Sequence, residues 1–169
     1  MVYNALAAAA VGFSLGLTEE EIADGIASVQ PVSGRGRVVT AGDLTVIDDC
    51  YNANPVSTKA AIDLLCLARG RKVAVLGDMF ELGEKEEELH AQVGRYAAQQ
   101  GVDCLLCAGS LSCRTARGAQ EAGLEQVFSF ESRDELQKAA DEAYRAFRFS
   151  RRPAGLKLLL AGLAVTLAG

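Results

Sequence analysis

The sequence predicts an α/β fold, a mostly parallel sheet with helices on both faces. Three observations predict it. Short, near-continuous apolar runs alternate with helical patterns from about residue 44 to residue 147. Cap and turn residues mark the joints between them. At 169 residues, half of them apolar, the chain is long enough to close a full hydrophobic core.

Taken in order, residues 1–15 are dense in alanine and carry apolar side chains on several faces, the pattern of a helix packed on all sides. So abrupt a start predicts that the natural protein extends further back. Thr18 followed by Glu19, Glu20 and Glu21 is a capping box, and Ile22, Ile26 and Val29 keep helical spacing up to Pro31. The period then changes. Residues 38–40 and 44–47 are β-prone runs about the turn Ala41-Gly42-Asp43, read as a hairpin or two adjacent strands. Asn54-Pro55 opens a helix with a cap and a first-turn proline, and Ala60, Ala61, Leu64, Leu65 and Ala68 form its expected buried face. Residues 72–76 are the next strand. The acid-started helix 84–100 turns Leu89, Val93, Tyr96 and Ala97 inward, and strand 102–108, helix 112–122, strand 126–130 and helix 132–147 follow.

After Phe147 the alternation stops. Residues 148–153 are basic and end in proline, and the leucine and alanine run beyond lacks period-two alternation. The sequence therefore predicts that the closing strand of the sheet is missing. It divides the chain into a helical segment 1–30, a domain 31–147 and an aberrant basic and apolar tail 148–169.

Charge narrows the partners. The net charge is −5, but five basic residues (Arg145, Arg148, Arg151, Arg152, Lys157) follow the last acid, Glu142, so residues 1–144 sum to −10. So acidic a surface repels a phosphate backbone, and no nucleic-acid partner is expected. The longest terminal apolar run, 158–169, is too short to span a bilayer, so no membrane partner is expected either. Five cysteines, an odd number without a secretory signal, read as reduced cytoplasmic thiols, and the pair Cys104 and Cys107 as buried side chains rather than a redox or metal site.

In an open parallel sheet, ligands bind beyond the carboxyl ends of the strands. Three loops lie there: 48–55, 77–83, and Gly109-Ser110. The first crowds Asp48, Asp49, Tyr51, Asn52 and Asn54 between a strand and a capped helix. Asn54 is explained as the cap, and one aspartate by the turn. The other aspartate suits ribose hydroxyls, and amide side chains both donate and accept as nucleotide recognition requires.

Asp48-Asp49-Cys50-Tyr51-Asn52-Ala53-Asn54-Pro55 is similar to the D-[DE]-x-Y-N-A-N-P signature of the Mur ligase family, in its D-alanyl-D-alanine-adding branch. Val75-Leu76-Gly77-Asp78-Met79-Phe80-Glu81-Leu82-Gly83 resembles that branch's V-L-G-D-M-x-E-L-G. His90 with Gly94 resembles its H-x-x-V-G, and residues 3–9 resemble the helix that ends its central ATPase domain. The resemblance runs in order from about residue 2 to about residue 147.

This resemblance implies the Rossmann-like C-terminal domain of a cytoplasmic, monomeric ATP-dependent ligase of cell-wall synthesis. Such an enzyme joins UDP-N-acetylmuramoyl-tripeptide to D-alanyl-D-alanine through an acyl phosphate. No G-x-x-x-x-G-K-[ST] occurs in the chain, so catalytic residues and Mg2+ ligands are expected in a central domain not represented here, and the chain alone is expected to be inactive. By position, Asn4 would contact adenine, Arg35 the ATP phosphates and Asp49 the ribose. Tyr51, Asn52 and Asn54 would line the cleft. Asp78 and Glu81 could face it or cap a helix, and His90 reads equally as a substrate-positioning residue or a half-buried structural one. Alternatives are another Mur-type ligase, and a non-catalytic Rossmann-like nucleotide-binding module or pseudogene product.

Overall fold

The computed structural model describes residues 2–30, 34–41, 44–139 and 156–161, the last as backbone. The chain separates into two compact units, Met1–Pro31 and Val32–Gly169.

The first unit holds α1 (Val2–Ser14) and α2 (Glu19–Ala27). The Thr18 hydroxyl accepts from the Glu21 amide at 3.3 Å while the Glu21 carboxylate accepts from the Thr18 amide at 2.9 Å, a complete capping box. Ile22 packs under Gly12, where an added Cβ would meet it at 2.8 Å. Tyr3, Leu6, Val11 and Phe13 of α1 are more than half exposed in this chain.

The second unit is the α/β domain. β1 (Arg37–Ala41) and β2 (Leu44–Asp49) pair antiparallel, with Val39 opposite Val46. α3 (Pro55–Cys66), β3 (Arg71–Gly77), α4 (Glu86–Gln99), β4 (Cys104–Ala108), α5 (Ser112–Glu121) and β5 (Val127–Phe130) follow. A helix, α6, begins at residue 133 and is described to residue 139; the remainder of the helix expected over 132–147 lies outside the described residues.

One strand overturns an expectation. Leu156–Ala161, β6, lies in the middle of the six-stranded sheet, ordered β1-β2-β6-β3-β4-β5. It pairs parallel with β2 (Val46 opposite Leu158) and with β3 (Val73 opposite Leu158). The closing strand is therefore present. The absence of alternation that argued against a strand is what a central strand of a parallel sheet ordinarily shows.

The order of strands places the helices. Connections β2–α3–β3–α4–β4–α5–β5 all move the same way across the sheet, and the return from β5 to β6 reverses, so right-handed crossovers put α3–α5 on one face and α6 on the other. Packing agrees. Ala74, Leu76, Leu105 and Cys107 form one core with Ile62, Leu65, Val93, Ala97, Ala116 and Ala119. On the opposite face Val75 and Ala108 pack with Leu136 of α6. The inward face of α3 is Thr58, Ala61, Ile62 and Leu65; Ala60 and Leu64 point to solvent, one helical step from the expected face.

Candidate functional site

The loop leaving β2 is built by two local devices and one distant one. Asn54 Oδ1 accepts from the amides of Val56 and Ser57 at 3.0 and 2.9 Å, which starts α3 and commits that oxygen to the cap. Asp48 Oδ2 accepts from the Gly34 amide at 3.1 Å, and Oδ1 from the Cys50 thiol at 2.9 Å. The Tyr51 amide in turn donates to the Gly34 carbonyl at 2.9 Å. Gly34 has φ +76°, and a Cβ there would sit 3.3 Å from the Tyr51 Cβ, so glycine lets the two loops close on each other.

This stitch brings together residues sixteen positions apart. The Arg35 guanidinium carbon lies 4.0 Å from the centroid of the Tyr51 ring. Tyr51 and Asn52 are exposed and Asp49 is half-buried; neither the Asp49 carboxylate nor the Arg35 guanidinium has a hydrogen-bond or ion-pair partner among the described residues. Two adjoining loops at the carboxyl edge thus offer a stacked cation, a carboxylate and an amide. Asn4 is exposed on α1, in the other unit.

The loop leaving β3 begins two strand positions away, roughly 10 Å at ordinary strand spacing. Asp78 Oδ1 accepts from the amides of Leu111 and Ser112 at 3.1 and 2.6 Å, so its carboxylate caps α5. Gly109 leaves room for that carboxylate, since a Cβ there would collide with it at 2.3 Å. The next residue, Met79, is buried, and its amide donates to His90 Nε2 at 2.9 Å, while His90 Nδ1 lies 2.7 Å from the Glu86 carbonyl. The carbonyl can only accept, so Nδ1 carries the proton and Nε2 is the acceptor. Successive residues of one loop are thereby tied to two different helices. Glu81 sits beyond them, exposed, with φ +62°.

For two residues the sequence left two readings open, and this geometry favours the structural one. His90 is fully buried with both ring nitrogens bonded, so it holds the β3 loop from beneath and does not line a cleft. The Asp78 carboxylate serves the start of α5 rather than facing outward. Sequence reasoning missed the clasp of Asp48 on Gly34 and the close crossing of α4 and α5. The signals were the Ser33-Gly34-Arg35 turn and the mid-helix glycines Gly94 and Gly118, which a helix tolerates at a cost of about 1 kcal/mol unless packing needs them.

Burial raises the thiols of Cys104 and Cys107, and Cys107 Sγ sits in the core among α5 and its neighbours. Protonated, inert side chains suit the reading of this pair as structural.

Residues 34–146 match the family model described as Mur ligase, glutamate ligase domain. The chain is 42% identical over 123 residues to the UDP-N-acetylmuramoyl-tripeptide--D-alanyl-D-alanine ligase of Escherichia coli K12, covering 71% of this chain and 27% of that one. A crystal structure of MurF from Acinetobacter baumannii superposes with a TM-score of 0.83 at 30% identity, covering 94% of this chain and 34% of that one. MurF ligase from Thermotoga maritima, solved in complex with ADP, gives a TM-score of 0.70 at 26% identity, over 90% and 32%. The chain thus spans about a quarter to a third of the length of these relatives.

Proposed function

Since the chain belongs to the Mur ligase family, we propose that it is the C-terminal, nucleotide-closing part of an ATP-dependent ligase that joins UDP-N-acetylmuramoyl-tripeptide to D-alanyl-D-alanine. The observation that carries this reading is the pair of loops at the carboxyl edge of β2 and before β1, where the Arg35 guanidinium and the Asp49 carboxylate have no hydrogen-bond or ion-pair partner among the described residues. A guanidinium presents up to five N–H donors to phosphate oxygens, and a carboxylate can accept from both ribose hydroxyls. Tyr51, Asn52 and the free face of Asn54 would border the nucleotide, and Glu81 the incoming amine.

In this reading ATP phosphorylates the carboxylate of the tripeptide precursor, and the amine of the dipeptide displaces phosphate from the acyl phosphate. The residues of this chain bind and orient; they donate to the phosphates, accept from the ribose and exclude water as the domain closes. The resemblance to Mur ligases assigns Mg2+ to the ATPase portion of the enzyme, outside this chain.

A chimera tests the proposal. This chain would replace the corresponding portion of the Escherichia coli relative, and phosphate release would be measured with each substrate omitted in turn. Turnover that requires ATP, the tripeptide precursor and D-alanyl-D-alanine together is the expected result. A chimera that melts cooperatively yet turns over equally well without the dipeptide, or with a single amino acid in its place, would reject it.

A further inference from the structure

The placement of Arg35 against Tyr51 carries one step more. The residue before Arg35 is hydrogen-bonded to Asp48, and a flexible arginine so rooted would ordinarily settle on the carboxylate. Here it does not. Asp48 has both carboxylate oxygens engaged, by the Gly34 amide and the Cys50 thiol, and the Arg35 guanidinium lies instead on the Tyr51 ring, 4.0 Å from its centroid. The residue before Arg35 is bonded to Tyr51 through the backbone at 2.9 Å, so the root of the arginine and the root of the ring are fixed to each other. Tyr51 itself is two-thirds exposed, so the stack lies at the surface, open to a ligand.

The chemistry of such a stack differs from that of an ion pair. A carboxylate partner would hold the arginine by consuming two of its donors and cancelling its charge. A ring face holds it through the π-system and leaves all five N–H groups around the rim of the guanidinium plane. We propose that Tyr51 is a positioning residue whose ring presents the edge of Arg35 to a phosphate oxyanion of the nucleotide. This rests on the reading of these loops as a nucleotide site.

The test uses the 169-residue chain, with ATP as the probe and the side-chain Nε–H resonance of Arg35 as one readout. In the wild type that resonance carries a ring-current shift and moves on titration with ATP. Tyr51→Phe keeps both the shift and the affinity, because the face remains. Tyr51→Ala loses the shift and weakens ATP binding roughly two- to five-fold, the size of an exposed cation–ring contact. Arg35→Ala weakens binding at least as much, and adding Tyr51→Ala to it costs nothing further. If Tyr51→Ala binds ATP like the wild type while Arg35→Ala does not, the positioning role is overturned and the nucleotide reading stands. Equal loss in Tyr51→Phe and Tyr51→Ala would assign the effect to the hydroxyl and overturn the proposal likewise. Wild-type affinity in Arg35→Ala, or no response of the chain to ATP, would overturn the nucleotide reading and the proposal with it.

Discussion

Replacing Gly94 by alanine sets two effects of known size against each other. Gly94 lies inside α4, where alanine is favoured over glycine by about 1 kcal/mol from backbone entropy alone. Packing opposes the change. A Cβ at this position would stand 1.9 Å from the Thr115 carbonyl oxygen and 2.9 Å from the Ala119 amide nitrogen, both backbone atoms of α5. Carbon and carbonyl oxygen approach no closer than about 3.3 Å even in favourable contacts, so the helices must part by roughly 1.4 Å. Backbone cannot rotate aside as a side chain can. Parting the helices would also loosen Val93, Ala97, Ala116 and Ala119, all at most 4% exposed. Overpacking of this kind costs typically about 1–3 kcal/mol, and here the upper end applies, leaving a net loss of about 2 kcal/mol after the propensity gain. Urea unfolding followed by circular dichroism measures it, with Gly25→Ala as the control, because Gly25 is helical and nothing lies within 4 Å of its added Cβ. Gly94→Ala should lower the midpoint while Gly25→Ala raises it or leaves it unchanged. A Gly94→Ala variant as stable as the wild type would refute the argument that this glycine exists to let the helices cross.

Five further outcomes follow from contacts described above. In the chimera proposed above, Asp49→Ala should raise the KM for ATP about ten-fold or more, at roughly 1.5–3 kcal/mol per charged hydrogen bond, with little change in Tm. Asp48→Ala should instead lower stability by about 1–2 kcal/mol, since it releases Gly34 and Cys50; steady-state kinetics and a thermal melt of each variant separate the two roles. His90→Ala strips the buried Met79 amide of its acceptor and the Glu86 carbonyl of its donor, for a loss of about 3 kcal/mol or more in chemical denaturation; under 1 kcal/mol would contradict the burial argument. Burial, the largest cause in each case, raises the thiols of Cys66, Cys104 and Cys107, so the folded chain keeps protons that the unfolded chain releases. Their stabilising contribution is complete below the ordinary thiol value of about 8.5 and is lost as pH climbs above it; unfolding free energies flat from neutral pH to pH 10 would disagree. Leu159→Pro should remove cooperative unfolding or cost about 3 kcal/mol, because β6 is bonded on both sides and proline has no amide to give.

How much of this was legible depended on the distance over which each cause acts. The caps at Thr18 and Asn54 are written within four residues, and both form as read. The alternation of strands and helices is likewise local, and the loops at the carboxyl ends follow from it. Other features are not local. The clasp of Asp48 on Gly34 spans fourteen residues and the cap of Asp78 on α5 more than thirty, and no periodicity says which helix a loop carboxylate will serve. Ala60 and Leu64 were expected to face inward because two overlapping apolar stripes run along α3; the core selects the one containing Ile62, which is fully buried. For His90 the residue type fits either role, and its burial is what decides. β6 was unreadable for the opposite reason, since a central strand of a parallel sheet ordinarily has no alternation to read.

That strand has a bearing on how the protein is made. The last of the six strands in sequence occupies the middle of the sheet, so during synthesis the β1–β2 hairpin and the β3–β5 group exist as two separate ribbons, each with an unpaired inner edge. Neither edge can be satisfied until residues 156–161 leave the ribosome, and at about 5–20 residues per second the twenty-five residues between β5 and β6 take seconds to follow. For that interval the edges of β2 and β3 are open to strands of other nascent chains. A ribosome that stalls shortly before β6 therefore releases not a slightly shortened domain but an adhesive one, a substrate for chaperones and proteases.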